Sequence, residues 1–224
     1  MKSKSLLLVA AIIAMLGGYW LSSMQKNAGD ADVLSDKEQA LATARANFSP
    51  IQGTVLSPPR KIAIPALIKD DGNTFTLNDL TGRWHFLFFG YTHCPDVCPV
   101  TMGVMAQAKK MATENNHIFP GVIFVSVDPE RDKVEMLADY VQYFDKEFIG
   151  VTGDEKLIKA LTLQMSVVYL KVQAEASSVN GYLVDHSSSL ILINPEGKLA
   201  AYFNSPHDAK KILQDFQTMV NLSN

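Results

Sequence analysis

The chain has 224 residues, of which 47% are hydrophobic and 19% are charged, and its formal net charge is -3. This composition is that of an ordinary globular protein, and the length suits one domain with an appendage. The slightly acidic balance offers no basic surface to nucleic acid, so we predict no nucleic-acid partner.

Residues 1–25 are predicted to form a transmembrane anchor. Lys2 and Lys4 stand at the start, and the rest of this segment carries no charged side chain. A helix of about 20 apolar residues spans about 30 Å, which matches the hydrocarbon core of a bilayer. Tyr19 and Trp20 are bulky aromatic residues of the kind that lie at the membrane interface, here at the outer end of the span.

A cleaved signal peptide is the alternative, because Gly29-Asp30-Ala31 has small residues at the two positions that cleavage requires. The triplet lies far from the apolar run, which favours an uncleaved anchor. Lysines ahead of the span predict a cytoplasmic N-terminus, with everything after the span exported. A short anchor without an Arg-rich and Ser-rich presequence favours the bacterial inner membrane, with the domain in the periplasm, over the mitochondrial inner membrane.

Residues 26–50 are polar and alanine-rich with charges of both signs, and we expect a tether between the anchor and a domain. In residues 51–224, short apolar runs alternate with segments of helical period, which predicts an α/β domain with helices beside a sheet. The predicted strands are, in chain order, KIAIPALI, WHFLFFG, GVIFVSVD, EFIGVTG, VVYLKV, SLILINP and KLAAYFN.

Four helices are predicted from apolar residues at helical spacing. Their stripes are Val97, Val100, Val104, Met105, Ala108 and Met111; Val134, Leu137, Ala138, Val141 and Phe144; Leu157, Ile158 and Leu161; and Ile212, Leu213, Phe216 and Val220. Met102, Met105 and Met111 could be soft metal ligands, but methionines at this spacing more often fill a core. The sequence NPEGK between the last two strands predicts a hairpin turn in which Gly197 takes a positive φ.

The two cysteines, Cys94 and Cys98, lie in FGYTHCPDVCP, where a predicted buried strand passes into a helix. Side chains four residues apart on a helix face the same way, with Cβ atoms about 5–6 Å apart, so the two sulfurs can converge. A helix N-terminus favours thiolate over thiol, and the proline that follows each cysteine suits a first turn.

Three roles are open to such a pair. Exported cysteines usually form a structural disulfide, but closing so small a loop stabilises a fold by about 2 kcal/mol at most, which a domain of this size hardly needs. A redox-active dithiol is the second role. A metal site is the third, and it requires a further ligand from elsewhere in the chain.

Five histidines could supply that ligand. His85 begins a buried strand, and His117 and His207 lie in polar connections, so each is most simply structural or exposed. His93 would point away from the cysteine that follows it, because alternate side chains of an extended backbone face opposite ways. His186 lies in LVDHSSSLILINPEG, which we interpret as a polar loop entering a buried strand, and it is the best placed of the five.

Together, FGYTHCPDVCP, VSVDPERD and YLVDHS resemble the SCO/SenC family of membrane-tethered copper chaperones for cytochrome c oxidase. The three motifs occur in the order and spacing of that family, and the resemblance runs from about Gly53 to the C-terminus. It implies a thioredoxin-like fold, with a central mixed sheet flanked by helices. It also implies one copper ion held by Cys94, Cys98 and His186, and its delivery to the dinuclear copper centre in the copper-bearing subunit of the oxidase. Other periplasmic copper carriers and thiol reductases are further partners consistent with that role.

The chemistry of these three side chains suits copper. Thiolates select Cu(I), and an imidazole completes a three-coordinate site that also accepts Cu(II). Zinc prefers a fourth ligand in a closed tetrahedron, and the sequence has no third cysteine.

Three other polar residues lie in the family motifs. Asp185 could orient the ring of His186, although a role in stabilising a turn is equally consistent with its position. Asp128 and Arg131 are predicted to fix a loop or to form a partner surface, and we assign them no chemistry.

A thiol-disulfide oxidoreductase that keeps the cysteines of the oxidase copper site reduced is the alternative function. Thioredoxin-like reductases combine C-x2-C with a cis-proline before a central strand, whereas this chain has C-x3-C and its corresponding loop, HSSS, has no proline. The chain is therefore predicted to be a metallochaperone rather than an enzyme. A peroxidase would use an isolated cysteine of low pKa, and a second cysteine four residues on argues against it.

Overall fold

The structure is a computed structural model, and it describes residues 51–173 and 181–223. Within those two ranges, no helix is both long enough and apolar enough to cross a membrane. The predicted anchor, residues 1–25, and the predicted tether, residues 26–50, lie outside the described residues.

The described residues form ten strands, four α-helices and one short 3-10 helix at Leu77–Leu80. The strands are β1 (Thr54–Arg60), β2 (Leu67–Lys69), β3 (Thr74–Phe75), β4 (His85–Gly90), β5 (Gly121–Ser126), β6 (Ile149–Thr152), β7 (Tyr169–Gln173), β8 (Tyr182–His186), β9 (Leu190–Ile193) and β10 (Leu199–Phe203). The helices are α1 (Val97–Glu114), α2 (Val134–Phe144), α3 (Glu155–Gln164) and α4 (Ala209–Ser223).

Eight of the strands form one mixed sheet in the order β1-β10-β9-β4-β5-β6-β2-β3, while β7 and β8 pair in a separate two-stranded sheet. β4, β5 and β6 are parallel, and the remaining pairs are antiparallel. Parallel neighbours need a long crossover connection, which α1 supplies between β4 and β5 and α2 supplies between β5 and β6. Helix α1 packs against α4, and α2 packs against β6. The predicted α/β architecture, a mixed sheet flanked by helices, is confirmed.

Strand β4 lies in the middle of the sheet and is buried on both faces. All four residues from Phe86 to Phe89 have 0% exposure, which explains why the strand is a continuous apolar run rather than an alternating one. Phe86 packs edge-on against Phe203 of β10, and Phe88 packs against Phe124 of β5. The carboxyl end of β4 is therefore a rigid base for the residues that follow it.

The hairpin between β9 and β10 forms as predicted. Gly197 has a φ of 71°, a conformation that disfavours residues with a Cβ. The backbone N-H of Asn194 donates to the carbonyl of Lys198 at 2.9 Å and closes the turn.

The predicted strands differ from the observed ones at four places. One is β3, an edge strand of only two residues that was not predicted. β1 was not predicted, because this edge strand is mostly exposed and contains Pro58 and Pro59, so it has no alternating apolar pattern. In KIAIPALI, which was predicted as a strand throughout, only its last two residues belong to β2. The predicted polar loop before the buried strand β9 comprises only residues 187–189, and His186 is instead the last residue of the unpredicted strand β8.

Helix α1 buries a different face from the predicted stripe. Val100, which the stripe included, is 60% exposed. Met102 and Met105 fill the core, as predicted, whereas Met111 is only partly buried and lies outside the core cluster. The buried residues of α1 are Cys98, Thr101, Met102, Met105, Ala108 and Ala112. Because Cys98 is the first residue of the buried face, its side chain lies against the core and not on the open surface.

Candidate metal centre

Cys94, Cys98 and His186 lie together beyond the end of β4. One donor atom from each lies within 4.8 Å of the other two, and Nε2 of His186 is 3.2 Å from Sγ of Cys98. Ligands bound to one ion at about 2.0–2.3 Å lie no more than about 4.6 Å apart, so the cluster is close to the size that a single ion requires. In the described part of the chain, it is the only such group of His, Cys, Asp or Glu donors.

The two cysteines have different surroundings. Because α1 begins at Val97, Cys94 lies in the loop before the helix, and the sulfurs do not converge through the helical spacing that was predicted. Instead, Sγ of Cys94 accepts the backbone N-H of Cys98 at 3.5 Å. This N-H belongs to the first turn of the helix, where donors have no intrahelical partner. Both residues are free thiols, Cys98 buried and Cys94 partly exposed.

These surroundings shift the two thiol pKa values in opposite directions. The hydrogen bond from Cys98 lowers the pKa of Cys94, and the backbone N-H groups at the helix start lower that pKa further. Burial raises the pKa of Cys98, and the neighbouring Cys94 thiolate adds to the effect. The reduced pair therefore carries its negative charge on Cys94, the more exposed sulfur.

The ring of His186 is held by packing and by one backbone hydrogen bond. Phe88 and Tyr91 contact it edge-on, with ring centroids 6.0 and 5.9 Å away. Its Nδ1 lies 3.1 Å from the carbonyl oxygen of Ser187. A carbonyl oxygen can only accept, so Nδ1 carries the proton and Nε2 presents its lone pair to the cysteines. The Ser187 carbonyl therefore orients the ring. Asp185, which could have had this role according to the sequence, has an exposed side chain.

Gly90, the last residue of β4, leaves room for the buried sulfur. A Cβ at this position would lie 2.7 Å from Sγ of Cys98 and 2.9 Å from the ring of Phe124, closer than side chains approach one another. The local sequence carries no signal for this requirement, because the helix brings the sulfur back onto the strand from eight residues away.

The other four histidines lie outside the cluster. His93 is directed away from the cysteines, as predicted, with Nδ1 3.0 Å from Oγ1 of Thr92 and 3.6 Å from the carboxylate of Asp132. His85 is buried in β4, and burial lowers its pKa to about 4, so this ring is neutral at physiological pH.

Asp128 and Arg131 lie in the turn after β5. Nε of Arg131 donates to the carboxylate of Asp128, and backbone hydrogen bonds from residues 131 and 132 to the Asp128 carbonyl close the turn. The prediction that these two residues fix a loop is confirmed.

The SCO1/SenC family model matches residues 63–221 of the chain. Among curated proteins, Protein SCO1 homolog 1, mitochondrial, of Arabidopsis thaliana is 39% identical over 147 residues, which cover 66% of this chain and 43% of that protein. The chain thus spans less than half the length of this relative.

Two solved structures with copper are similar to the described domain. Arabidopsis thaliana ScoI with copper bound is 36% identical with a TM-score of 0.67, and the match covers 72% of this chain and 99% of that one. Yeast Sco1 with copper bound is 26% identical with a TM-score of 0.66, and the match covers 73% of this chain and 90% of that one. These similarities support the predicted thioredoxin-like fold, and they place the Cys-Cys-His cluster in a fold in which related proteins carry copper.

Proposed function

The chain belongs to the SCO1/SenC family, and on that premise we propose that it is a copper chaperone for cytochrome c oxidase. It binds one copper ion through Cys94, Cys98 and His186 and delivers it to the dinuclear copper centre of the copper-bearing subunit. The observation that carries the proposal is the convergence of two sulfurs and one imidazole nitrogen on a single point. Thiolates retain Cu(I), and the imidazole makes the same site acceptable to Cu(II).

The different exposure of the ligands suits a protein that must both hold copper and release it. Cys98 is buried at the start of α1, so a partner cannot reach its sulfur directly. Cys94 and His186 are partly exposed, so an incoming ligand from a partner can replace either of them first. Copper then passes through intermediates in which ligands from both proteins bind it. Cys98 is the last ligand of this chain to leave.

Copper content of the purified, reduced chain tests the proposal. We expect one tightly held copper per chain after anaerobic loading with Cu(I) and gel filtration, because the structure provides one cluster of soft donors. The double variant Cys94→Ser, Cys98→Ser is expected to lose the metal, while His117→Ala, which changes an exposed histidine, retains it. Equal retention of copper by the double variant would show that the metal binds elsewhere.

The cellular location and membrane orientation are proposed from the sequence of the first 50 residues. Residues 1–25 hold the chain in the bacterial inner membrane, residues 26–50 act as the tether, and the domain faces the periplasm. There it meets the oxidase, together with periplasmic copper carriers and thiol reductases. The support is the apolar run preceded by Lys2 and Lys4.

Membrane fractionation tests the anchor. We expect the full chain to remain with membranes after a carbonate wash, because a hydrophobic span stays in the bilayer when peripheral proteins are released. An exported chain that starts at residue 48 is the matched control and is expected in the wash. Release of the full chain by carbonate would contradict the anchor without affecting the copper site.

Thiol-disulfide exchange is a second candidate function, and the unequal pair of cysteines favours it. An exposed thiolate can attack a partner disulfide, and a second thiol beside it can then resolve the mixed disulfide. Cys94 and Cys98 have these properties, because the hydrogen bond to Cys98 lowers the pKa of Cys94 while Cys98 remains a buried thiol. The ligand His186 distinguishes the two functions, since exchange does not require an imidazole.

A further inference from the structure

The turn at residues 128–132 contacts both segments that carry the three clustered residues. Its two aspartates, Asp128 and Asp132, have fully buried side chains with 0% exposure. A buried carboxylate is unfavourable unless hydrogen bonds or a positive charge compensate it. The groups that provide this compensation include Thr92 of the cysteine segment and Tyr182 of the histidine strand, together with Ser126 and Arg131.

Asp132 holds the segment that leads to Cys94. Its carboxylate accepts the backbone N-H of Thr92 at 2.9 Å and the Thr92 hydroxyl at 2.6 Å. Ser126, at the end of β5, donates to the same carboxylate at 2.6 Å. Three donors thus fix the backbone two residues before Cys94 to the end of the neighbouring strand.

Asp128 and Arg131 hold the start of β8, the strand that ends at His186. The hydroxyl of Tyr182 donates to Asp128 at 2.7 Å, and Nη1 of Arg131 donates to the Tyr182 carbonyl at 3.0 Å. The guanidinium also lies over the Tyr182 ring, 3.7 Å from its centroid, where a cation is attracted to the aromatic face. Burial and the Asp128 carboxylate raise the pKa of Tyr182, so its hydroxyl remains a donor at neutral pH.

The β7 and β8 strands need such an attachment because they form their own two-stranded sheet, apart from the eight-stranded one. An isolated pair of strands is only marginally stable in water. Part of its apolar surface is open to solvent, with Leu170 64% and Leu183 37% exposed. No strand ladder within the described residues joins β8 to the main sheet. Side-chain contacts therefore act together with the short connection from His186 to β9 to set the distance from His186 to the cysteines.

Arg131 contacts both strand β8 and the segment that follows β4. Its guanidinium lies over Tyr182 and also 5.6 Å from the ring centroid of Tyr91, which follows β4. The Tyr91 ring in turn packs edge-on against His186. A displacement of Arg131 would therefore release the strand and also disturb the packing of the imidazole.

We propose that Asp128, Arg131 and Tyr182 are positioning residues, which hold the β7-β8 pair so that Nε2 of His186 meets Sγ of Cys98. They do not touch the metal, and they act on it through His186. The expected change in copper affinity rests on the proposed copper-binding function. The attachment of the β7-β8 pair to the turn is independent of that function, and it can be measured without metal.

Replacement of Tyr182 by Phe is the mildest test. The variant keeps the ring beneath Arg131 and removes the hydroxyl that donates to Asp128. We expect affinity for Cu(II) to fall about threefold to tenfold, the effect of losing one hydrogen bond of ordinary net strength, because Asp128 keeps the hydrogen bond from Arg131. The nitrogen hyperfine signal of bound Cu(II) is expected to weaken as well, because the imidazole joins the metal less often. Tyr143→Phe, which changes an exposed tyrosine of α2, is the matched control and should leave both quantities unchanged.

A double-variant cycle distinguishes positioning from a general loss of structure. In a His186→Ala background, Tyr182→Phe is expected to have no further effect on affinity, because the side chain through which it acts is absent. Arg131→Lys keeps the charge but loses the planar guanidinium, so its loss of affinity should be larger, and it should likewise vanish in that background.

Hydrogen exchange of the metal-free chain gives a readout that does not depend on copper. We expect Tyr182→Phe to speed exchange of β7 and β8 amides while β4 and β5 amides are unchanged, since only the attachment of the strand pair is weakened. Unchanged exchange in β7 and β8 would overturn the proposal, as would an equal loss of copper affinity in both backgrounds. If the parent chain bound no copper at all, the proposed function would fail while the exchange result would still decide the role of the turn.

Discussion

Oxidation of Cys94 and Cys98 to a disulfide is expected to abolish copper binding, and reduction is expected to restore it in full. Forming the bond removes two electrons and the proton of the Cys98 thiol, and it leaves neither sulfur as a thiolate ligand. His186 would then be the only donor left in the cluster, and a single imidazole cannot hold copper against competing ligands. The two sulfurs lie within 4.8 Å of each other, so the reaction requires them to approach to the bond length of about 2.05 Å.

The measurement is copper retained per chain after anaerobic loading of the oxidised and the reduced forms. Thiol counting with a maleimide before loading establishes the state of each sample. The oxidised sample, reduced and loaded a second time, serves as its own control against irreversible damage. Full-strength binding by quantitatively oxidised chain would contradict the site, because it would place the metal on ligands other than the cysteines.

Replacement of His186 by Ala is expected to lower copper affinity strongly while both thiols still oxidise and reduce reversibly. Loss of an outer contact to a metal ligand typically costs about 10–100-fold in affinity, so loss of the ligand itself should cost more than about 100-fold for Cu(II). The effect on Cu(I) should be smaller, because two thiolates can satisfy its linear preference but leave Cu(II) short of ligands. Competition titrations with chelators of known affinity measure both values.

The same variant separates the two candidate functions in cells. On the chaperone hypothesis, the His186→Ala strain should resemble a strain that lacks both cysteines, with poor oxidase activity that added copper partly restores. His117→Ala is the control for removal of a histidine. If His186→Ala leaves oxidase assembly intact while Cys94→Ser or Cys98→Ser abolishes it, thiol reduction is the function and the chaperone proposal is wrong.

Local sequence patterns were sufficient to predict the buried central strand and the turn at Gly197. The run HFLFFG marks a central strand, because a strand covered on both faces needs an apolar side chain at every position. The turn at Gly197 depends on neighbouring residues alone. The strands that were missed or overextended are exposed edge segments, where side chains carry no consistent record of burial.

The sequence by itself determined the α/β class, the central strand and the position of the two cysteines between that strand and a helix, since each depends on residues close together in the chain. Only the tertiary structure decided that Cys98 is buried in the core while Cys94 stays partly exposed, because the buried face of α1 depends on the elements that pack against it. The sequence linked His186 to the cysteines only through the family resemblance, and the fold brings His186 to Cys98 across 88 residues. The roles of Gly90 and of the turn at residues 128–132 are likewise visible only in the tertiary structure. These residues act through contacts with residues that are distant in the sequence. The spacing of residues along the chain does not predict such contacts.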